Sequence, residues 1–230
     1  MSTTPNDNLS ERHRVAYYGG SFDPPHSGHL AIADALVDQF GLDSFVFIPA
    51  FHAPHKARLK PTSAYDRYTM LCLATQSAAK RRVSRMEIEM PERPYSVETL
   101  TRILTVRPND EIYFVIGADS WRDILTWREW ERVLTMVNII VVTRPGVEIG
   151  SDHVTDEIRK RIVDIRDGRD SARNERRTTS IEPSIFITNA VNIDISATEI
   201  RRKIREDDPS WQQDVSSEVA NYVEKYQIYS

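Results

Sequence analysis

The chain has 230 residues, of which 40% are hydrophobic and 28% charged, and its formal net charge is −4. This length suits one globular domain with a core of its own, and the charge gives no general attraction to nucleic acid. The single cysteine, Cys72, excludes a disulfide framework and a cysteine-rich zinc site.

The sequence shows neither a membrane-spanning segment nor a targeting segment. No window approaches the roughly 18 apolar residues that a membrane helix needs, and residues 1–13 are polar, unlike a signal peptide. We therefore expect a cytoplasmic protein that binds no membrane. Residues 1–13 are interpreted as a disordered tail, and residues 14–230 as a single domain.

The first predicted elements are a buried strand and an amphipathic helix. Apolar residues 15–18 form the strand, and the helix has apolar positions at helical spacing from Leu30 to Phe40, with Gly41 as its end signal. Residues 44–49 predict a second strand, residues 63–78 a second helix, and residues 83–88 a third strand.

Strands and helices continue to alternate through the rest of the chain. A helix begins at Tyr95-Ser96, residues 112–116 form a strongly apolar strand, and residues 137–142 and 185–187 form two more. Two helices are expected within residues 196–227. Apolar strands that alternate with helices predict a Rossmann-like, doubly wound parallel sheet of the α/β class, followed here by a C-terminal helical region.

A charged insertion occupies about residues 150–180. Between residues 157 and 177, thirteen of twenty-one residues are charged. We interpret this segment as a solvated helix and a mobile loop without a chemical role.

A glycine-rich segment joins the first strand to the first helix. It begins with Gly19-Gly20-Ser21-Phe22 and carries two histidines three residues apart, His26 and His29. Backbone N–H groups converge where such a bend enters a helix N-terminus, and the helix dipole favours negative charge there. Imidazoles add donors that can stabilise charge on a phosphorus atom. The segment therefore predicts a phosphate-binding site.

A second histidine pair, His52 and His55, raises an alternative. Together the two pairs could supply four ligands to a structural zinc ion, although the proline and glycine residues around the first pair favour a backbone cradle. Lys56, which follows His55, is either a mobile cation for a triphosphate or an exposed loop lysine.

The start of the helix near residue 196 is a second candidate anion site. Ser196-Ala197-Thr198-Glu199 fits a capping box in which Ser196 is the N-cap and Glu199 bonds back to it. The same helix start offers free N–H groups, the Thr198 hydroxyl and, one turn later, Arg201.

Two further candidates follow the strand at residues 112–116. Gly117-Ala118-Asp119-Ser120 comes at the carboxyl end of that strand, where parallel sheets bind ligands. This position favours Asp119 as an acceptor for a ligand hydroxyl over a simple turn former. Trp127 is either a core residue or a platform for stacking. No dinucleotide-binding G-x-G-x-x-G and no P-loop G-x-x-x-x-G-K-[ST] is present.

These motifs resemble a known enzyme family. The segment from Gly19 to His29 is similar to the H-x-G-H loop of nucleotidyltransferases, and residues 195–201 resemble their I-S-x-T-x-x-R motif. The intervening Pro54-His55-Lys56, Arg67-x-x-Met70 and Trp127 resemble, in order and spacing, the bacterial nicotinate-nucleotide adenylyltransferases.

The resemblance implies transfer of an adenylyl group from ATP, with Mg²⁺, to nicotinate mononucleotide, which gives deamido-NAD and pyrophosphate in NAD biosynthesis. It implies catalytic roles for His26, His29, Lys56 and Arg201. The residues implied to bind ATP are Gly19, Gly20, Ser21, Phe22, Gly117, Asp119, Ser196 and Thr198. Tyr95, Ser96 and Trp127 would contact the pyridine mononucleotide, and no residue is implied as a metal ligand.

Alternatives remain open at this point. Nicotinamide mononucleotide could be the preferred acceptor, because sequence does not show how the backbone near Ser96 is placed. A non-catalytic nucleotide- or metal-binding module would keep the motifs without turnover. The segment after Tyr95 also departs from the family pattern, since it is Ser-Val-Glu-Thr where Thr-x-Asp-Thr is usual. The oligomeric state is open too, a homo-oligomer included.

Overall fold

The computed structural model describes residues 12–51, 62–143, 149–166, 182–191 and 193–229. In these ranges seven strands form one sheet in the order β3-β2-β1-β4-β5-β7-β6, and every pair of neighbouring strands is parallel. The strands are β1 (Arg14–Gly20), β2 (Ser44–Pro49), β3 (Arg81–Val83), β4 (Glu111–Gly117), β5 (Asn138–Val142), β6 (Ile162–Asp164) and β7 (Ile185–Thr188). The predicted Rossmann-like, doubly wound α/β fold is confirmed.

Helices connect the strands and pack on both faces of the sheet. They are α1 (Ser27–Phe40), α2 (Ala64–Thr75), α3 (Ser96–Val106), α4 (Ala118–Arg122), α5 (Trp130–Met136), α6 (Asp156–Arg159), α7 (Ala197–Arg205) and α8 (Ser217–Tyr226), with short 3₁₀ turns at Ile124–Thr126 and Pro209–Asp214. Within the described ranges, no helix is long and apolar enough to cross a bilayer.

Local sequence signals account for several helix ends. Helix α1 ends at Gly41, which takes the left-handed conformation with φ 58° that glycine adopts without steric cost. Helix α2 begins after Ser63, whose side chain accepts a hydrogen bond from the N–H of Tyr65.

The sheet is buried on both faces because successive side chains point in opposite directions. On β1, Val15 and Tyr17 face a core shared with α3 and α5, whereas Ala16 faces a core shared with α1. The same alternation continues on β4, where Phe114 belongs to the first core and Val115 to the second.

A third hydrophobic cluster joins the helices near the end of the chain to α2. It surrounds Trp211 and consists of Met70, Ala74, Ile200, Trp211, Val215, Val219, Ala220 and Val223. Tyr222 on α8 adds a hydrogen bond of 2.8 Å from its hydroxyl to the carboxylate of Asp66 on α2. This cluster holds α7 and α8 against the domain.

The predicted strand at residues 83–88 is wrong. Strand β3 ends at Val83, and residues 86–89 form a turn instead. The alternation of Met86 and Ile88 mimics a strand, but Ile88 is buried beneath the turn that leads into α3.

The charged segment contains more regular structure than its composition predicts. It contributes α6 and then the edge strand β6, which pairs with β7. Val163 and Ile165 are buried on either side of the exposed Asp164, so the apolar alternation typical of a strand is present over a few residues only. Residues 167–181 and 1–11 lie outside the described residues.

The strand order reverses between β1 and β4. From β1 the chain moves outward to β2 and β3, and then returns to place β4 on the other side of β1. Ligands of such sheets bind at the carboxyl ends of the two strands that flank this point. The fold therefore indicates that the ligand site lies at the segments that follow Gly20 and Gly117.

We predict that Trp211→Ala lowers the free energy of unfolding by about 3–5 kcal/mol, because it removes a large side chain from a closed cluster. Urea unfolding followed by circular dichroism measures the change. Val106→Ala is the control, since Val106 is 68% exposed and should change stability by less than about 0.5 kcal/mol. Equal effects of the two substitutions would contradict this prediction.

Candidate functional site

The predicted site segments converge at the reversal of strand order. Tyr18 pairs with Val115 in the register of β1 and β4, so the segments after Gly20 and Gly117 leave the sheet side by side. The N-terminus of α1 follows the first segment, and α4 begins directly after the second. Two predicted ligand-binding segments therefore lie next to each other in space.

The bend after β1 requires the second of its two glycines. A Cβ at Gly20 would lie 2.9 Å from the tip of the Phe22 ring, closer than such contacts are found. Phe22 itself is buried and takes a φ of 47°, which turns its ring back over the end of the strand. The bend thus requires a residue without a side chain at position 20 and the packing of the Phe22 ring against it.

The two histidines of the first segment stack on each other. The ring centroids of His26 and His29 are 3.6 Å apart, with 28° between the ring planes. The main-chain N–H of His26 donates to Nδ1 of His29 at 3.2 Å. An imidazole that accepts at Nδ1 carries its hydrogen on Nε2, so the remaining donor of the His29 ring is its Nε2–H.

Gly28 permits this arrangement of the histidines. A Cβ at this position would lie 3.1 Å from Nδ1 of His26, so a larger residue would displace that ring. The His26 side chain is almost fully buried and His29 is partly exposed. His29 is therefore the histidine of the pair that is better placed to reach a ligand.

The start of α7 is exposed, as a binding segment should be. The side chains of Ser196 and Thr198 are exposed, and Ser196 is the N-cap residue. The predicted capping box is wrong, however, because the Ser196 side chain makes no capping hydrogen bond and the Glu199 carboxylate pairs with Arg202 on the same helix. A charged partner one turn away competes successfully for that carboxylate.

Arg201 connects the second motif to the first. Its side chain is 9% exposed, and its guanidinium donates to the main-chain carbonyl of Asp23 and, at 3.2 Å, to the hydroxyl of Thr198. Asp23 lies three residues before His26, so one buried guanidinium bridges the two motifs across 178 positions of sequence. The predicted contact of Arg201 with phosphate stays a prediction.

Arg67 anchors the loops beneath the site, a role that the sequence analysis missed. Its fully buried guanidinium donates to the carbonyls of Ser21 at 2.7 Å and Ala50 at 2.6 Å, and to those of Phe51 and Thr62 at 3.3 Å. Burial lowers the pKa of Arg67 from its ordinary value. The available signal was its place on the apolar face of α2, at helical spacing from Met70 and Ala74.

The segment after β4 offers an open surface. A Cβ at Gly117 would meet no atom within 4 Å, so the main chain there is accessible to a close-packed ligand. Asp119 is exposed and accepts a hydrogen bond of 3.0 Å from Arg122. An exposed ion pair of this kind is worth little, so a ligand hydroxyl can compete for the carboxylate.

Tyr95 and Trp127, the predicted acceptor-binding residues, lie on neighbouring segments. The guanidinium of Arg128, the residue after Trp127, lies 4.8 Å from the centre of the Tyr95 ring and 3.5 Å from the Glu98 carboxylate. Trp127 is half-buried, edge-on to Phe114. The structure thus joins the start of α3, where Ser96 is the first residue, to the tryptophan segment.

The amide of Tyr95 is already engaged. Its N–H donates to Oε2 of Glu98 at 2.9 Å, and this glutamate stands where the resembling family usually has aspartate. Since this N–H is used within the helix cap, the N–H groups at Ser96 and beyond are the better candidates for contact with a ligand.

Several predicted residues cannot be placed. Lys56, His52 and His55 lie outside the described residues, so the zinc alternative stays untested. Within the described ranges, no group of three or more His, Cys, Asp and Glu side chains is placed to hold a metal ion.

Comparison with known proteins adds to this geometry. The Cytidylyltransferase-like family model matches residues 17–203. A relative from Corynebacterium glutamicum is 32% identical, with 100% of this chain and 92% of the relative covered. One from Thermus thermophilus is 33% identical, with 94% and 99% covered. Both carry the name "Probable nicotinate-nucleotide adenylyltransferase".

Solved structures share the fold. Nicotinic acid mononucleotide adenylyltransferase of Plasmodium falciparum, complexed with NaAD, has a TM-score of 0.67 and 18% identity, covering 95% of this chain and 98% of that chain.

We predict that Glu87 makes stability depend on pH. Burial raises the pKa of Glu87, while a hydrogen bond of 2.8 Å from the Thr99 hydroxyl on α3 opposes the shift. Because the folded state binds this proton more tightly than the unfolded state, stability falls as pH rises from the ordinary glutamate pKa through the raised one. Glu87→Gln should therefore gain stability relative to the wild type as pH rises.

Urea unfolding at a series of pH values, from about 4 to 8, spans this range. Glu92→Gln, which changes an exposed carboxylate nearby, is the matched control. If the difference between Glu87→Gln and the wild type does not vary with pH, the burial of this carboxylate has no energetic effect.

Proposed function

The chain belongs to the nicotinate-nucleotide adenylyltransferases, within the Cytidylyltransferase-like nucleotidyltransferases, and we propose that it transfers the adenylyl group of ATP to nicotinate mononucleotide. The products are deamido-NAD and pyrophosphate. The observation that supports this proposal best is the bridge from Arg201 to Asp23, because it brings together the two segments that are proposed to bind the phosphates of ATP.

The proposed reaction is a direct displacement at phosphorus. A phosphate oxygen of nicotinate mononucleotide forms a bond to the α-phosphorus of ATP. The bond from that phosphorus to the oxygen bridging to the β-phosphate breaks, and pyrophosphate leaves with the electron pair. Positioning and charge stabilisation supply most of the catalysis in such reactions.

The first segment is proposed to hold the reacting phosphate. His29, with Nδ1 occupied by the N–H of His26, would donate from Nε2 to a phosphate oxygen as charge develops there. His26 would support it through the ring stack and contribute to phosphate binding. The bend at Gly19-Gly20-Ser21-Phe22 would bring main chain close to the nucleotide.

The start of α7 is proposed to hold the leaving pyrophosphate. The exposed hydroxyls of Ser196 and Thr198, with the first N–H groups of α7, would bind the β- and γ-phosphates, and Arg201 would contribute positive charge. Lys56 would balance the remaining negative charge. Gly117 and Asp119 would contact the adenosine ribose through main chain and carboxylate.

Mg²⁺ is proposed to enter as part of the substrate, bound to phosphate oxygens of ATP. The first segment suits such a substrate, because its imidazoles and N–H groups are donors to phosphate. Its one carboxylate, Asp23, is already bonded to the Tyr229 hydroxyl at 2.6 Å. Magnesium in nucleotide sites commonly keeps waters and phosphate oxygens as ligands.

The acceptor is proposed to lie between the start of α3 and Trp127. Trp127 would stack on the pyridine ring, and the backbone at Ser96, near Tyr95, would face the carboxylate. The guanidinium of Arg128 beside Tyr95 and the positive end of the α3 dipole favour an anionic substituent over an amide.

We predict that the purified protein with ATP and Mg²⁺ releases pyrophosphate with nicotinate mononucleotide, and that kcat/KM is higher for this acceptor than for nicotinamide mononucleotide. A coupled pyrophosphate assay with each acceptor measures both values. A higher kcat/KM for the amide would reverse the assignment of the acceptor. Pyrophosphate release with neither would refute the proposed activity.

His29→Ala should lower kcat by about 10²–10³-fold, the usual cost of losing one donor to a transition-state oxygen. His13→Ala is the matched control, because His13 is exposed and precedes β1 at the opposite end of the strand. Full activity in His29→Ala would show that this imidazole has no part in the reaction.

A further inference from the structure

A buried polar cluster lies behind the first segment, centred on Asp23. Asp23 is 6% exposed, and its main-chain carbonyl and carboxylate both face Arg201. Arg67 interacts electrostatically with the same carboxylate. Since Arg201 belongs to α7 and Arg67 holds the loops after β1 and β2, the cluster touches each described segment proposed to face the phosphates of ATP.

Tyr229, which follows α8, completes this cluster. Its hydroxyl donates to Oδ1 of Asp23 at 2.6 Å and also bonds the side chain of Thr62. Tyr229 takes a φ of 77°, an unusual conformation for a residue other than glycine. The main chain thus turns sharply to bring this ring in from the end of the helix.

The chemistry of Tyr229 suits a permanent donor. Burial and the negative charge of Asp23 raise the pKa of Tyr229, which favours the protonated hydroxyl that donates to the carboxylate. The Asp23 carboxylate lies near the guanidiniums of Arg201 and Arg67. Among the described residues, Tyr229 is the only one whose side-chain hydroxyl bonds to Oδ1 of Asp23. Without this donor, the carboxylate would lose a charge-assisted hydrogen bond in a site with little water.

We propose that Tyr229 is a positioning residue for ATP, whose hydroxyl holds Asp23 so that the first segment and α7 keep the spacing required by the triphosphate. This inference rests on the proposed function. Its action is indirect: the hydroxyl fixes Asp23, the Asp23 carbonyl fixes Arg201, and Arg201 fixes Thr198 at the start of α7.

The effect should be confined to ATP. The acceptor-binding residues Tyr95 and Trp127 belong to segments on the other side of β1, next to β4, and their described contacts are with Glu98, Arg128 and Phe114. None of these three residues belongs to the Asp23 cluster. A substitution at Tyr229 should therefore weaken the binding of ATP and leave the binding of nicotinate mononucleotide unchanged.

Tyr229→Phe tests the proposal, with Tyr222→Phe as the matched control. Tyr222 makes a similar hydrogen bond, 2.8 Å from its hydroxyl to the carboxylate of Asp66, and it ties α8 to α2 without touching the first segment. We predict that Tyr229→Phe raises the KM for ATP and the calorimetric Kd for MgATP roughly tenfold, because ATP must then order a segment that this hydrogen bond holds in place before binding in the wild type. The KM for nicotinate mononucleotide should not change.

A purely structural role would not produce this pattern. Partial unfolding lowers the active fraction and therefore the apparent kcat, but it leaves KM at the wild-type value. If Tyr229→Phe keeps the wild-type Kd for MgATP, or if Tyr222→Phe weakens MgATP equally, the proposal is overturned. Calorimetry also separates the positioning role of Tyr229 from the proposed adenylyl transfer. If the wild type binds MgATP but shows no turnover, the proposed activity is refuted, and the effect of Tyr229→Phe on MgATP binding can still be measured.

Hydrogen exchange of the wild type provides a test that needs no variant. Binding of MgATP should slow amide exchange in residues 226–229, and nicotinate mononucleotide alone should not. Unchanged exchange in these residues with saturating MgATP would also overturn the proposal, even where Tyr229→Phe fails to fold.

Discussion

The buried carboxylate of Asp23 is the interaction on which the arrangement of the site depends. A buried charge is costly unless it is paired and hydrogen-bonded, and here Arg201 and Tyr229 supply that pairing from distant parts of the chain. Removing Arg201 would take away a charged partner of this carboxylate, and removing the Tyr229 hydroxyl would take away a hydrogen bond. The first segment, α7 and Tyr229, three residues after α8, are therefore stabilised together.

The topology decides which chemistry each half of the site can perform. On the β1 side, a helix N-terminus, a histidine pair and the start of α7 are the proposed donors for an anion. On the β4 side, Trp127 and Tyr95 supply aromatic surface beside the guanidinium of Arg128. The reversal of strand order places these halves on adjacent strands, so two substrates with different chemistry can meet at one edge of the sheet.

Much of the fold could be predicted because its signals are local. Apolar runs such as Ile112 to Ile116 and stop signals such as Gly41 act within a few residues, and the structure has the corresponding strand and helix end. The predictions that failed depended on competition between distant or neighbouring groups. Ile88 is buried in a turn, β6 pairs with the distant strand β7, and Glu199 pairs with Arg202 instead of capping its helix.

The sequence by itself determined the fold class and the candidate residues of the site, because strand alternation, glycine bends and histidine spacing depend only on near neighbours in the chain. Tertiary structure alone decided how those residues are held. Arg67 on the apolar face of α2 and Tyr229 beyond α8 carry no local sign that they bond the loop carbonyls and Asp23. The physical reason is that a buried polar group takes its partner from whichever segment the packing brings near, and sequence distance does not record that.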